Sequence, residues 1–324
     1  MAPSAITPET SPERAVITKK VLVEAPEAPE VADKPQRESR RGSVCSARSV
    51  KLNDGNVIPQ VALGVYKAPN GEETENAVLA ALDAGYRHID SAARYANEEA
   101  CGRAIKRWLE RNPQYSREDI FVTTKLWDAD HGYEATFNAL CTSLEKFQLD
   151  YFDLYLIHSP SNDEQKRLES WRALETAKRL GIVKSIGVSN FGAGHIEHLI
   201  HNAKVVPAVN QIEVHPFCQR QDLVDLCNKY GILIEAYSPL ARGNKLQDPT
   251  IAAIAQKYNR TPAQILLNWN AARGNVVLPK SLSAERIESN FRIFDFQLSP
   301  EDVATIDALG AENYVTGTLH KSED

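Results

Sequence analysis

The chain has 324 residues, 43% hydrophobic and 25% charged, with a formal net charge of −6. This is the profile of an ordinary globular protein, without the basic footprint that nucleic acid binding needs or the ~18-residue apolar stretch of a membrane helix. Five cysteines, an odd number with no Cys-x-x-Cys pair, fit reduced thiols of a cytoplasmic protein rather than a disulfide framework.

Residues 1–49 stand apart. They hold six of the 17 prolines, no aromatic residue, seven acidic and eight basic residues. Such a segment buries too little apolar surface to offset its ordering entropy, which predicts a disordered extension before a domain spanning 50–324. It lacks the apolar core of a signal peptide, and its acidic residues argue against a transit peptide. Arg40-Arg41-Gly42-Ser43 within it resembles a site for a basophilic kinase. Val50–Ile58 reads as a hairpin turning at Asp54-Gly55.

From Val61 onward strands and helices alternate. Strands are predicted at about 61–64, 86–90, 119–124, 152–157, 183–188, 207–212, 232–236 and 275–278. Helices are predicted near 73–84, 97–110, 132–147, 164–180, 193–202, 218–230, 261–272 and 283–289. Thr261-Pro262 sets a cap before a proline at the first helical position, and Ser299-Pro300-Glu301-Asp302 does the same for a final helix. Eight βα pairs of this spacing suit a closed single-domain barrel. The short polar segment after Leu309 is expected over or beside the barrel mouth.

Four polar residues lie at or just past apolar runs: Asp90, Tyr95, Lys125 and His158. In such a barrel the C-terminal strand ends converge on one face, where chemistry sits. A free phenol titrates near 10 and is a poor acid unless a positive charge favours the phenolate. Lys125 is expected to supply that charge, Asp90 to hold the ammonium, and His158 to orient a carbonyl oxygen beside Tyr95. Protonation of an oxygen would then accompany hydride delivery, and since no side chain donates hydride, a cofactor is implied.

The usual dinucleotide fingerprint is not there. Gly192-Ala193-Gly194-His195-Ile196-Glu197 opens a helix after a strand, but Glu197 stands where close packing needs Gly or Ala. A short-chain dehydrogenase would show Tyr-x-x-x-Lys, which is missing. His195, His198 and His201 recur every three residues and drift around the helix, so no metal site is expected. A metal-dependent hydrolase would need His-x-His near the first strand, and Val61–Tyr66 has none. Ser189, Asn190 and Gln211 end two strands and can hydrogen-bond a carboxamide. Tyr237 ends the next strand and can stack on a flat ring. Lys280, Ser281 and Arg286 near a helix N-terminus form a candidate anion site.

Seven segments in order carry a resemblance: Gly85–Glu98 (GYRHIDSAARYANE), Thr123–Trp127 (TTKLW), Asp153–Pro160 (DLYLIHSP), Gly187–Phe191 (GVSNF), Val209–Pro216 (VNQIEVHP), Ala236–Leu240 (AYSPL) and Leu278–Ser281 (LPKS). Together they resemble the aldo-keto reductase family from about Val50 to Leu309. The resemblance implies a (β/α)8 TIM barrel and NADP(H)-dependent reduction of aldehydes or ketones, with Tyr95 as general acid and Asp90, Lys125 and His158 as its partners. It assigns Ser189, Asn190 and Gln211 to the nicotinamide amide, Tyr237, Ser238 and Leu240 to the cofactor, Lys280, Ser281 and Arg286 to the adenosine 2′-phosphate, and Asn290 to adenine. The position before Asn290, usually Glu in the family, is Ser289. Tyr66 and Trp127 fall at aromatic pocket walls, and Ser159 stands where Trp is common. With short loops at 159–166 and 241–248, a wider pocket for a small carbonyl substrate is expected. The expected particle is a monomer or weak dimer. The family also contains barrel subunits that regulate channels, so a regulatory or binding role with weak turnover is the alternative.

Overall fold

The computed structural model describes residues 48–310. Residues 1–47 of the Pro-rich extension, including the Arg40–Ser43 motif, and the polar segment from 311 onward lie outside the described residues, while Ser49, placed in the extension by the sequence, opens the first strand. The barrel is preceded by a hairpin of β1 (Ser49–Lys51) and β2 (Val57–Pro59), with Val50 opposite Ile58. Its turn spans 52–56, closed by Leu52 N donating to Asn56 O at 2.8 Å and Gly55 N to Leu52 O at 3.1 Å. Gly55 takes φ +91, the left-handed region that glycine enters without strain.

Eight parallel strands follow: β3 (Leu63–Gly64), β4 (His88–Asp90), β5 (Phe121–Leu126), β6 (Phe152–Ile157), β7 (Val183–Ser189), β8 (Val209–Glu213), β9 (Leu233–Tyr237) and β10 (Val276–Leu278). Each pairs with its sequence neighbour, in the order β3 to β10. Ala62 N donates to Val277 O (3.0 Å) and Gly64 N to Pro279 O (3.1 Å), joining the last strand to the first. This is the predicted (β/α)8 barrel. Most strand residues are buried on both faces, which is why the strands read as apolar runs rather than alternating patterns.

The helices are α1 (Glu72–Ala84), α2 (Glu98–Arg111), α3 (Tyr133–Phe147), α4 (Glu164–Arg179), α5 (Ala193–Asn202), α6 (Gln221–Lys229), α7 (Pro249–Tyr258), α8 (Pro262–Ala272), α9 (Ala284–Phe291) and α10 (Pro300–Asp307). Helix α7 is absent from the sequence prediction, so two helices rather than one cross between β9 and β10. Its start signal matches that of α8: Asp248 accepts from Thr250 N and Ile251 N, with Pro249 next. Asn259, left-handed at φ 51, separates the two helices. The third barrel strand, β5, starts at Phe121 rather than 119, because Ser116 and Asp119 form a capping box around a one-turn 3-10 helix.

The apolar core has two layers. One lies between strands and helices and contains Val78, Leu82, Ile105, Trp171 and Leu267. The other joins hairpin residues Leu52 and Ile58 to Ala62, just before β3, and to Leu154, Leu156, Val209 and Val276 on the strands. Asn53 Nδ2 donates to Pro207 O (2.9 Å), just before β8, and Asn56 Nδ2 to Lys184 O (3.2 Å), early in β7. The hairpin therefore closes the end where strands begin, and the C-terminal strand ends form the mouth.

Candidate active site

Asp90 is the last residue of β4, Lys125 the fifth of β5, and His158 the first after β6. Tyr95 ends the 3-10 turn Ala93–Tyr95, which Ala96 terminates in the left-handed region at φ 55. Buried Asn97 fixes this loop. Its Oδ1 accepts from Ser91 Oγ (2.8 Å), and its Nδ2 donates to Val65 O (2.9 Å) and Ala68 O (3.0 Å). The same contacts tie the Tyr95 loop to the loop carrying Tyr66, whose ring centroid lies 5.1 Å from that of Tyr95.

The four predicted catalytic residues come together. Lys125 Nζ donates to both oxygens of Asp90 and to Ser91 O, each at 2.8 Å, and lies 5.2 Å from the Tyr95 ring centroid. The Tyr95 and His158 rings are 5.7 Å apart and close to perpendicular, and Trp127 lies 5.6 Å from His158 on edge.

Their electrostatics differ from the expectation in one respect. Lys125 does not pull the Tyr95 phenol down, because Asp90 neutralises the ammonium. The phenol is held well above its usual value, by burial first, then by Asp90 and Tyr66. It therefore stays protonated, which suits a donor. His158 is pushed down to about 3 by burial, then by Lys125 and Arg94, so it is neutral at ordinary pH. Its Nδ1 is buried without a partner.

The residues expected to hold a carboxamide form one connected group. Ser189 Oγ donates to Gln211 O (2.7 Å), and Asn190 Nδ2 donates to His158 O (2.9 Å) and reaches Ser189 Oγ at 3.1 Å. Tyr237 Oη donates to Asn190 Oδ1 (2.8 Å). Asn190 takes φ 59 and Ser238 φ 48, left-handed positions that bend the chain just past β7 and β9. Tyr237, Ser238 and Leu240 are half-buried.

Lys280 follows β10, and Ser281 precedes α9. Ser283 N donates to Ser281 Oγ (3.1 Å), and Ser283 Oγ caps Arg286 N (3.3 Å). Lys280 and Arg286 are exposed, and no ion pair to either occurs among the described residues. Asn290 is buried within α9, while Glu288 is engaged by Arg292.

At the rim Tyr66 is 45% exposed, a surface available to a ligand. Ser159 is buried instead, and its hydroxyl donates to Asp128 Oδ1, tying the loops after β6 and β5 together. Three neighbours were missed by sequence reasoning. Arg94 stacks over Trp127 at 4.6 Å, a role its place directly before Tyr95 could have suggested. His88 and Glu235 are wholly buried in the barrel. The signal for Glu235 was a lone acid inside an apolar strand.

Residues 61–311 match the sequence model described as the Aldo/keto reductase family. An aldo-keto reductase of Mycolicibacterium smegmatis is 50% identical over 80% of this chain and 92% of its own length. A glyoxal reductase of Bacillus subtilis is 45% identical over 82% and 94%. Among solved structures, a Bombyx mori aldo-keto reductase in complex with NADP aligns with a TM-score of 0.78 at 41% identity, covering 83% of this chain and 95% of that one. The barrel with its chemistry at the strand ends is that of an oxidoreductase acting on carbonyl groups. The chain belongs to the aldo/keto reductase family.

Proposed function

We propose that this protein reduces small polar aldehydes or ketones to alcohols with NADPH, Tyr95 giving the proton. The observation that carries this reading is the buried Lys125–Asp90 pair beneath Tyr95, with neutral His158 across from it. NADPH, when bound, supplies the hydride. His158 would donate a hydrogen bond to the substrate carbonyl oxygen and orient it toward the Tyr95 hydroxyl. Tyr95 Oη would release its proton to that oxygen as negative charge develops there, and the Lys125 ammonium would stabilise the resulting phenolate.

The donor set suits a nicotinamide dinucleotide phosphate. Ser189, Asn190 and Gln211 offer amide and hydroxyl groups for a carboxamide, Tyr237 a flat half-buried ring, and Lys280 with Arg286 two exposed cations for a 2′-phosphate. Similarity to a glyoxal reductase supports compact, oxygen-rich carbonyls as the substrate class here. The test is the loss of NADPH absorbance with a panel of aldehydes, dicarbonyls, sugars and ketones. Turnover of several small aldehydes is expected, and no turnover of any would sink the reading.

A further inference from the structure

Below the Asp90–Lys125 pair lies a second acid that the reaction above does not use. Glu235 sits mid-β9, fully buried, and its register neighbour on β8 is Gln211. Gln211 Nε2 donates to Glu235 Oε2 (2.8 Å) and to Asp90 Oδ2 (2.9 Å). Both partners are carboxyl oxygens, so this end of the side-chain amide is its NH2 group. With both hydrogens used, the carbonyl Oε1 is the one polar atom of that amide left for a ligand, and no described residue bonds to it.

We propose that Glu235 is a positioning residue. As a neutral acid it holds the Gln211 amide in one orientation, so that Oε1 accepts from the carboxamide N–H of the nicotinamide. This rests on the NADPH reading above.

The neutral form follows from the neighbours. Asp90 has Lys125 on both oxygens, whereas Glu235 has Gln211 on Oε2 alone, and its Oε1 is buried without a hydrogen bond. The nearest basic group is His88 Nε2, 3.8 Å away. His88 Nδ1 must donate to the Pro59 carbonyl (3.3 Å), and in a neutral ring Nε2 then accepts from Thr123 Oγ1 (2.8 Å). Burial keeps that ring neutral, pushing His88 down to about 3. No cation therefore stands against Glu235, while Asp90 faces it from β4 and Lys125 only partly offsets Asp90 from β5. Burial and then Asp90 push the carboxyl up to about 8. Two acids sharing one amide cannot both ionise cheaply, and the unpaired one keeps the proton.

Three variants test this. Glu235→Gln keeps a carbonyl acceptor in a neutral side chain of the same shape. Glu235→Val removes the acceptor. Glu235→Ser, too short to reach Gln211, replaces the valine variant if that does not fold. Dissociation constants are measured by fluorescence for NADPH and for its 3-acetylpyridine analogue, in which a methyl replaces the amide nitrogen. Wild type should prefer NADPH by about tenfold, one hydrogen bond's worth. The glutamine variant should keep that preference, and the valine or serine variant should lose it.

The ligand-free protein gives a second readout. Glu235 has a raised folded-state value, so its stabilising contribution is present at low pH and lost as pH rises through about 8. Wild type should therefore lose melting temperature between about pH 6.5 and 8, and Glu235→Gln should lose less. A preference retained without the acceptor overturns the positioning role, as does a glutamine variant that behaves like valine. Parallel melting curves for wild type and Glu235→Gln overturn the neutral acid. A wild type that binds neither dinucleotide overturns the cofactor reading and the carboxamide contact with it, while the melting comparison still decides whether Glu235 holds the proton.

Discussion

Lys125 has three ammonium hydrogens and three acceptors: two oxygens of Asp90 and the Ser91 carbonyl. A fully buried cation is stable only with its donors satisfied and its charge balanced. The balance explains why Tyr95 rests as a phenol, since burial and the Asp90 charge, which offsets that of Lys125, both oppose its ionisation. Tyr95→Phe removes the hydroxyl and leaves this pair in place. It is expected to bind NADPH as wild type does while reduction falls by about two orders of magnitude or more. Stopped-flow turnover beside a fluorescence titration checks this, and unchanged turnover would remove Tyr95 from the mechanism. Exposed Arg286 supports a different contact. Arg286→Ala is expected to raise the NADPH dissociation constant about tenfold with little change for NADH, and equal loss for both would make Arg286 a fold residue. Asp90, Tyr95, Lys125 and His158 could be read from the sequence because each lies at or just past the end of an apolar run, in a fixed order. Glu235 showed only as a lone acid in an apolar strand, and its partners Gln211 and Asp90, which come from other strands, could not be read from it. Nor was Ser159 readable as a loop tether, because its partner Asp128 belongs to another loop.

Between elements, close approach decides what side chains fit. Helix α2 meets the C-terminal end of α3 at Gly102, where an added Cβ would lie 2.3 Å from Phe147 O and 2.7 Å from its carbonyl carbon. Both obstacles are backbone, so neither can rotate aside. Gly102→Ala is expected to lower stability by about 1–3 kcal/mol despite alanine's better helix propensity. Thermal unfolding measures it, and an unchanged or raised melting temperature would mean that α2 and α3 slide apart without cost. The helices themselves were legible from caps and period, with α5 matching its predicted bounds. Helix α7 was not, because an alternating strand–helix rhythm leaves room for one helix per crossover. Its Asp248-Pro249 start was visible all the same and repeats the logic of Thr261-Pro262.

At the scale of the molecule, the barrel carries ionisable groups in its wall and interior, and these set its response to pH. Burial pushes His88 down to about 3, and burial with Lys125 and Arg94 does the same to His158. Unfolded histidines titrate near 6.5. Below that pH the unfolded chain takes up protons that the fold refuses, so stability falls as pH drops toward 3. His131 and His195, also lowered chiefly by burial, steepen this acid side. Glu235 works the other way. Folded, it keeps its proton up to about 8, whereas unfolded it loses it near 4.5, so its contribution declines across that interval as pH rises. Each mismatched proton is worth about 1.4 kcal/mol per pH unit. Between about pH 4.5 and 6.5 His88 and His158 outweigh the one glutamate, and above 6.5 the glutamate acts alone among these three. The melting temperature of the ligand-free protein is therefore expected to peak between about pH 6 and 7 and to fall on both sides, more steeply toward acid. Scanning calorimetry across that range checks the shape. A melting temperature that climbs steadily from neutral to about pH 8 would show that Glu235 is ionised in the fold, and one that does not fall as pH drops from about 6 to 4.5 would show that the buried imidazoles are charged.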